Sequence, residues 1–270
     1  MDHHLGSLNA FELTAALAAG AALLCWLLSV VFREYSWTDR LWSVMPPVYA
    51  GVYAWSRGFA DARLNLMAAL VLLWGARLTF NYARKGGYAK GGEDYRWAVL
   101  RGRLGTGWKW QLFNIAFVAG YQQFIVWAIT LPCWAVWSAT PTPLRAADLA
   151  LAGLFLAALA LEFVADQQQW NFHQEKKAGR AKGFLTTGLF AWSRHPNFFA
   201  EQAQWWLLAL FPLVAGVPAL PFHWIGAVLL TLLFLGSTRF TESITRSKYP
   251  DYAQYQARVS AQLPWFPRGP

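Results

Sequence analysis

Of the chain's 270 residues, 56% are hydrophobic, 17% aromatic and only 14% charged, a balance that excludes an ordinary soluble domain and describes an integral membrane protein. A formal net charge of +9 comes from basic residues that flank apolar runs and alternate with Trp and Tyr, so positive-inside bias and contact with anionic membrane lipid account for it without nucleic acid. Cys25 and Cys133 sit in separate apolar runs without CxxC spacing, which argues against a disulfide framework and a zinc site; no metal is expected.

A hydrocarbon core takes about 20 apolar residues per helix. Seven runs qualify: 9–32, 41–57, 62–82, 110–138, 146–168, 198–217 and 221–239. The expectation is an all-α integral membrane protein of seven transmembrane helices, forming a single membrane domain over 1–270. The residues before the first run, MDHHLGSLNAFE, carry no Lys or Arg, so that run reads as a retained span and not a cleaved signal peptide. Of the 23 basic residues, 17 lie at 84–109, 170–197 and 239–270, whereas 139–145 has one and 218–220 none. The rich segments are expected in the cytoplasm. Alternation then places the N-terminus outside and the C-terminus inside.

Two of these segments, YARKGGYAKGGEDYRWAVLRGRLGTGWKW and WNFHQEKKAGRAKGFLTTGLFAWSRHPN, are longer than most connections within helical bundles. Both mix glycine with cations and acids, as binding loops do. Between them the fifth and sixth runs carry polar stripes. Glu162, Asp166, Gln169 and His173 recur at steps of four, three and four, and Asn197, Glu201 and Gln204 at four and three. Each set lies on one helical face. An ionised carboxylate at a span centre costs about 3 kcal/mol, so such residues face a bundle interior or a wet cavity. Two readings stay open: ion pairs and amide bridges that only hold helices together, or a polar ligand pocket opening toward the cytoplasm.

Pro196 suits the first position of a helix, with Ser193 or His195 near the cap. The free N–H groups of that turn, with Arg194 and His195, form an anion site suited to phosphate. The C-terminal stretch reads as a helix from about 240, a turn at Tyr249-Pro250 and a second helix bearing Tyr252, Tyr255 and Arg258. These aromatics serve either as interfacial anchors or as a cover over a ligand.

Three stretches, SRHPNFFAEQ (193–202), DQQQWNFH (166–173) and KYPDYAQYQARVSAQLPWFP (248–267), with LWGARLTFNYARKGGYAKGGEDYRW (73–97) upstream, resemble the steroid 5α-reductase and sterol reductase superfamily, most closely its bacterial members. The Arg-His-Pro-Asn-x-x-x-Glu element is also shared, in a version, by membrane methyltransferases acting on isoprenylcysteine and phospholipids. The resemblance implies a steroid 5α-reductase-like fold in a bacterial inner membrane. Its first four helices (1–138) would form a chamber for a lipophilic small-molecule substrate, and its second half (139–270) would bind NADPH from the cytoplasm. By position, Asn197 and Glu201 would hold the nicotinamide end, Asp166, His173 and Tyr255 would contact the cofactor, and Arg194 with His195 would lie near its phosphates. Arg96, Arg101 and Arg103 are candidates for the adenosine phosphate, because their charge exceeds what orientation requires.

No GxGxxG after a strand and no GxxxxGK[ST] occurs, so a dinucleotide would be held by side chains and one helix end. The implied chemistry is hydride transfer to a conjugated double bond, assisted by an acid. In steroid 5α-reductases that acid is a Glu on the second helix with a Tyr on the third. This chain has no Glu in DRLWSVMPPVYAGVYAW and Trp74 where the Tyr would fall, so a steroid substrate does not follow. Asp39 and Tyr82 are the substitute catalytic candidates, each also readable as an ordinary interfacial residue. A methyltransferase using S-adenosylmethionine, and a transporter or lipid-binding protein without catalysis, are the competing readings. Transporters often show internal repeats, and none is seen.

Overall fold

The computed structural model describes residues 9–267, and every regular element among them is helical. In chain order the α-helices are α1 (Ala10–Phe32), α2 (Trp37–Trp42), α3 (Met45–Ser56), α4 (Ala62–Arg84), α5 (Tyr95–Leu104), α6 (Trp108–Phe113), α7 (Gln122–Ala128), α8 (Leu131–Ser138), α9 (Ala146–Lys177), α10 (Pro196–Leu208), α11 (Phe211–Val214), α12 (Pro221–Lys248) and α13 (Tyr252–Arg258). A π-helical stretch, Asn114–Tyr121, joins α6 to α7.

Among the described residues, α1, α4, α9 and α12 are each long and apolar enough to cross a membrane. A fifth crossing is available if Trp108–Ala128 and Leu131–Ser138, bent by 40°, form one broken span. The chain is therefore a multi-pass membrane protein by length and composition of its helices. The runs at 41–57 and 198–217 fold differently from the straight helices expected of them. Each is divided, α2 from α3 ahead of Pro46 and Pro47, and α10 from α11 ahead of Pro212. Proline lacks the N–H that a continuing helix needs and crowds the preceding turn, so it sits at the start of the new helix.

Local chemistry sets the ends of the long helices. Asn9 and Glu12 close a capping box on α1, the Asn9 side chain accepting from the Glu12 N–H at 3.0 Å and Glu12 accepting from the Asn9 N–H at 2.9 Å. Asp61 caps α4 by accepting from the N–H groups of Arg63 and Leu64. The buried face of α1 is made of Ala10, Thr14, Ala18, Ala21, Cys25 and Ser29. These residues recur every three or four positions and are small, which lets neighbouring backbones approach closely where lipid offers no hydrophobic contrast. Leu23, Leu24, Leu27 and Val31 stay exposed on the rest of α1, as lipid contact requires.

Two compact units emerge. The first takes in the chain to Leu149 together with Ala209–Gly226, and the second Ala150–Leu208 with the chain from Ala227 onward. In the first unit Arg63 is tied to Asp148 by two hydrogen bonds of 2.7 and 2.9 Å and also donates to Thr142 and the Pro143 carbonyl. Gly75 lets α4 lie against the α2–α3 junction, since a Cβ there would stand 2.5 Å from the Ser43 carbonyl oxygen. Gly226 plays the same part for the second turn of α12 against the backbone of Ala128. The second unit joins most of α9 to α10, the later part of α12, α13 and the extended tail.

Candidate functional site

The two polar stripes meet in the second unit. Gln204 on α10 donates to Glu162 on α9 at 2.7 Å, and one turn pair away Asn197 donates to Asp166 at 3.4 Å. Glu162, Asp166, Glu201 and Gln204 are all buried. The sequence expectation of a shared face therefore holds, and two side-chain bridges link the stripes directly. The oxygen Oε1 of Gln204 is buried with no hydrogen-bond partner. His173, last in the α9 stripe, is exposed.

α10 begins at Pro196, where expected. The carbonyl of His195 accepts the first helical bond, from Phe199 at 3.2 Å, and Ser193 Oγ accepts from the His195 N–H. The side chains of the same motif do something that sequence reasoning missed. Arg194 donates to both carboxylate oxygens of Glu242 on α12, at 2.6 and 3.1 Å, and also to the carbonyls of Gln256 and Val259. His195 Nε2 lies 3.1 Å from the same carboxylate, Gln256 donates to it at 2.8 Å and Tyr252 at 3.3 Å. Arg194 is thus committed to Glu242 and the tail instead of presenting a free guanidinium to a phosphate. The signal for Glu242 was present in RFTESITR as an acid set among cations, i+4 from Thr238.

The tail locks this hub. The Arg194 N–H donates to the Ser260 carbonyl at 2.9 Å, Ser193 Oγ to the Gln262 carbonyl at 2.6 Å, and the Trp265 N–H to the Trp192 carbonyl at 3.0 Å. Tyr255 donates its hydroxyl to the Phe190 carbonyl, and its ring packs on Phe184 with Tyr252 and Tyr249. Burial pushes the Tyr252 and Tyr255 hydroxyls above the usual phenol range. The tail also walls a groove of about 490 Å³ beside the start of α10, lined by Leu161, Leu189, Trp192, Pro196, Trp265 and Phe266.

The remaining candidates lie in the first unit. Arg96 is paired with Asp94 at 2.9 Å, and Arg101 with Glu93 at 2.7 Å through both nitrogens. Arg101 also stacks over Tyr35 and Trp110. Both arginines therefore brace the segment before and within α5, a use not foreseen for them, while Arg103 is exposed. Asp39 accepts from the Trp97 indole at 2.9 Å. Burial raises its carboxyl above the usual range; Arg96 opposes this and Asp94 reinforces it. Tyr82, near the end of α4, has its hydroxyl buried, and its ring packs edge-on against Tyr88.

These features define a class: an all-helical multi-pass membrane protein with a buried polar ladder and an Arg–His–Glu hub at the end of its second unit. The family described as "Protein of unknown function (DUF1295)" matches residues 25–259, and the chain belongs to it. The chain is also similar to "Uncharacterized protein C594.04c" of Schizosaccharomyces pombe, 36% identical over 262 positions that cover 88% of this chain and 75% of the relative. No solved structure matches it.

Proposed function

We propose that the protein is a membrane reductase that uses NADPH to reduce a conjugated double bond in a lipophilic substrate of steroid, sterol or isoprenoid character. The observation that carries this reading is the meeting of Asp166 with Asn197, both in stretches on which the reductase resemblance rests, and of Glu162 with Gln204 just outside them. These side chains form a mixed set of donors and acceptors, and the unpartnered Gln204 oxygen is an acceptor for one N–H of a carboxamide. That set fits the nicotinamide end of the cofactor. The phosphate end does not fit Arg194, whose donors serve Glu242, so exposed cations such as Lys177, Lys182 and Arg258 are the better partners there.

When bound, NADPH supplies the hydride. Asp166, Asn197, Glu201 and Gln204 orient the ring and exclude water from it. Within the first unit, Asp39, kept toward its neutral form by burial, and Tyr82 are the groups able to donate a proton. The broken spans are read as membrane-crossing with the four long ones, giving seven crossings, the N-terminus outside and the C-terminus in the cytoplasm.

Thermal stability of the detergent-purified protein tests the reading. NADPH is expected to raise the melting temperature, and Asp166→Asn or Glu201→Gln to abolish the rise while leaving the protein inserted. Stabilisation by S-adenosylmethionine and not by NADPH would replace the reductase with a methyltransferase. No response to either would leave a protein that binds lipid or transports.

A further inference from the structure

Among the buried oxygens of the first unit that have no hydrogen-bond partner, three lie on α3, α7 and the π-helical stretch. Tyr49 on α3 is 0% exposed and its hydroxyl has no hydrogen-bond partner; Gln123 on α7 and Asn114 in the π-helix are each 1% exposed, and their amide oxygens have none. A buried polar group left unpaired costs about 1–3 kcal/mol. The other end of each amide is held: Gln123 Nε2 donates to Cys25 Sγ at 3.6 Å, and Asn114 Nδ2 to Ser29 Oγ at 2.7 Å. The Ser29 hydroxyl donates to the Trp26 carbonyl and so accepts from Asn114, and in both amides the oxygen is left as the open acceptor.

Tyr49 shares this place. It packs against Ala18 of α1 and Val126 of α7, the latter one turn from Gln123 along α7. The junction of α1, α3 and α7 thus holds a phenolic donor and an amide acceptor that are not bonded to each other, next to a π-helical stretch. Such stretches are frequent at functional sites, because they re-aim side chains at the cost of regular helix geometry.

We infer that this junction binds the hydroxyl group of a lipophilic alcohol. A hydroxyl accepts from Tyr49 and donates to the Gln123 oxygen, satisfying both groups at once. A ketone or aldehyde only accepts, so it serves Tyr49 and leaves the amide oxygen open, and a hydrocarbon serves neither. The exposed leucines on the outer face of α1 border lipid, from which such a molecule would arrive. The site needs no nucleotide and stands apart from the reductase reading.

The experiment titrates the full chain in detergent, without nucleotide, with farnesol, farnesal and farnesane, three probes sharing one isoprenoid skeleton, and follows melting temperature and Kd. Farnesol is expected to bind about tenfold more tightly than the aldehyde or the hydrocarbon, the worth of one buried hydrogen bond. Tyr49→Phe and Gln123→Leu should each erase that preference while the unliganded protein melts at or above the wild-type temperature. Equal binding of the three probes, or unchanged farnesol preference in both variants, overturns the proposal and assigns the oxygens to internal water. Should either variant fail to fold, the ranking of the probes on the wild-type protein decides alone.

Discussion

At the scale of single residues, the Glu242 carboxylate is the most heavily engaged group in the second unit. Its ion pair with Arg194 is only 8–10% exposed on either side, so removing one partner strands a buried charge. Arg194→Leu is expected to cost about 3–5 kcal/mol, read as faster thermal inactivation in detergent. Arg194→Lys should recover little, because an ammonium does not reproduce two parallel bonds to Glu242 together with bonds to two carbonyls. Asp39 behaves oppositely. Its folded-state pKa lies above the ordinary value, so the native state holds the proton more tightly than the unfolded chain. Its contribution to stability is full at low pH and is lost as pH rises through the raised value. Melting temperature should therefore fall from about pH 4 toward neutrality through this group, and Asp39→Asn should flatten that part of the profile. A fall of the same size in the variant would show that other groups cause it.

At the scale of elements, the beginnings of α4 and α9 are joined by Arg63 and Asp148, whose side chains are 1% and 0% exposed. Arg63→Met alone should destabilise by about 3–5 kcal/mol. Arg63→Met combined with Asp148→Leu should return most of the loss, since an apolar pair needs no desolvation of charge. A double variant as weak as the single one would mean that the bonds to Thr142 and Pro143 carry the junction. On α12, Gly226→Ala forces a methyl to within 2.3 Å of the Ala128 carbonyl, whereas Gly236→Ala meets nothing within 4 Å. The first substitution should lower the melting temperature and the second leave it unchanged or slightly raised. Similar effects from both would mean that the α12 contact yields easily.

At the scale of the whole molecule, the proposed seven crossings are tested by reporter fusions or cysteine labelling in the segments between the hydrophobic runs. Sites in 84–109 and 239–270 are expected to report cytoplasm and those in 139–145 and 218–220 the opposite side. Labelling of 84–109 and 139–145 from the same side would reduce the count toward the four or five crossings that helix length alone supports. Membrane character, the seven apolar runs, the start of α10 at Pro196 and the shared faces of the two polar stripes were all legible in the sequence. They depend on composition, on helical periodicity and on proline's missing N–H, which are properties of the chain close to each residue. The helix expected from about 240 proved to be the continuation of α12, since nothing in that stretch breaks it before Tyr249.

What tertiary structure alone decided is which partner each charge takes. Arg194 and Glu242 are 48 residues apart, and no local rule connects them. The same is true of Arg63 with Asp148, and of the hydrogen bonds that join the two polar stripes. A sequence displays charges and the faces they occupy. Whether a buried charge waits for a ligand or is already neutralised depends on distances of a few ångströms between segments that the chain order keeps far apart, and those distances are set by packing.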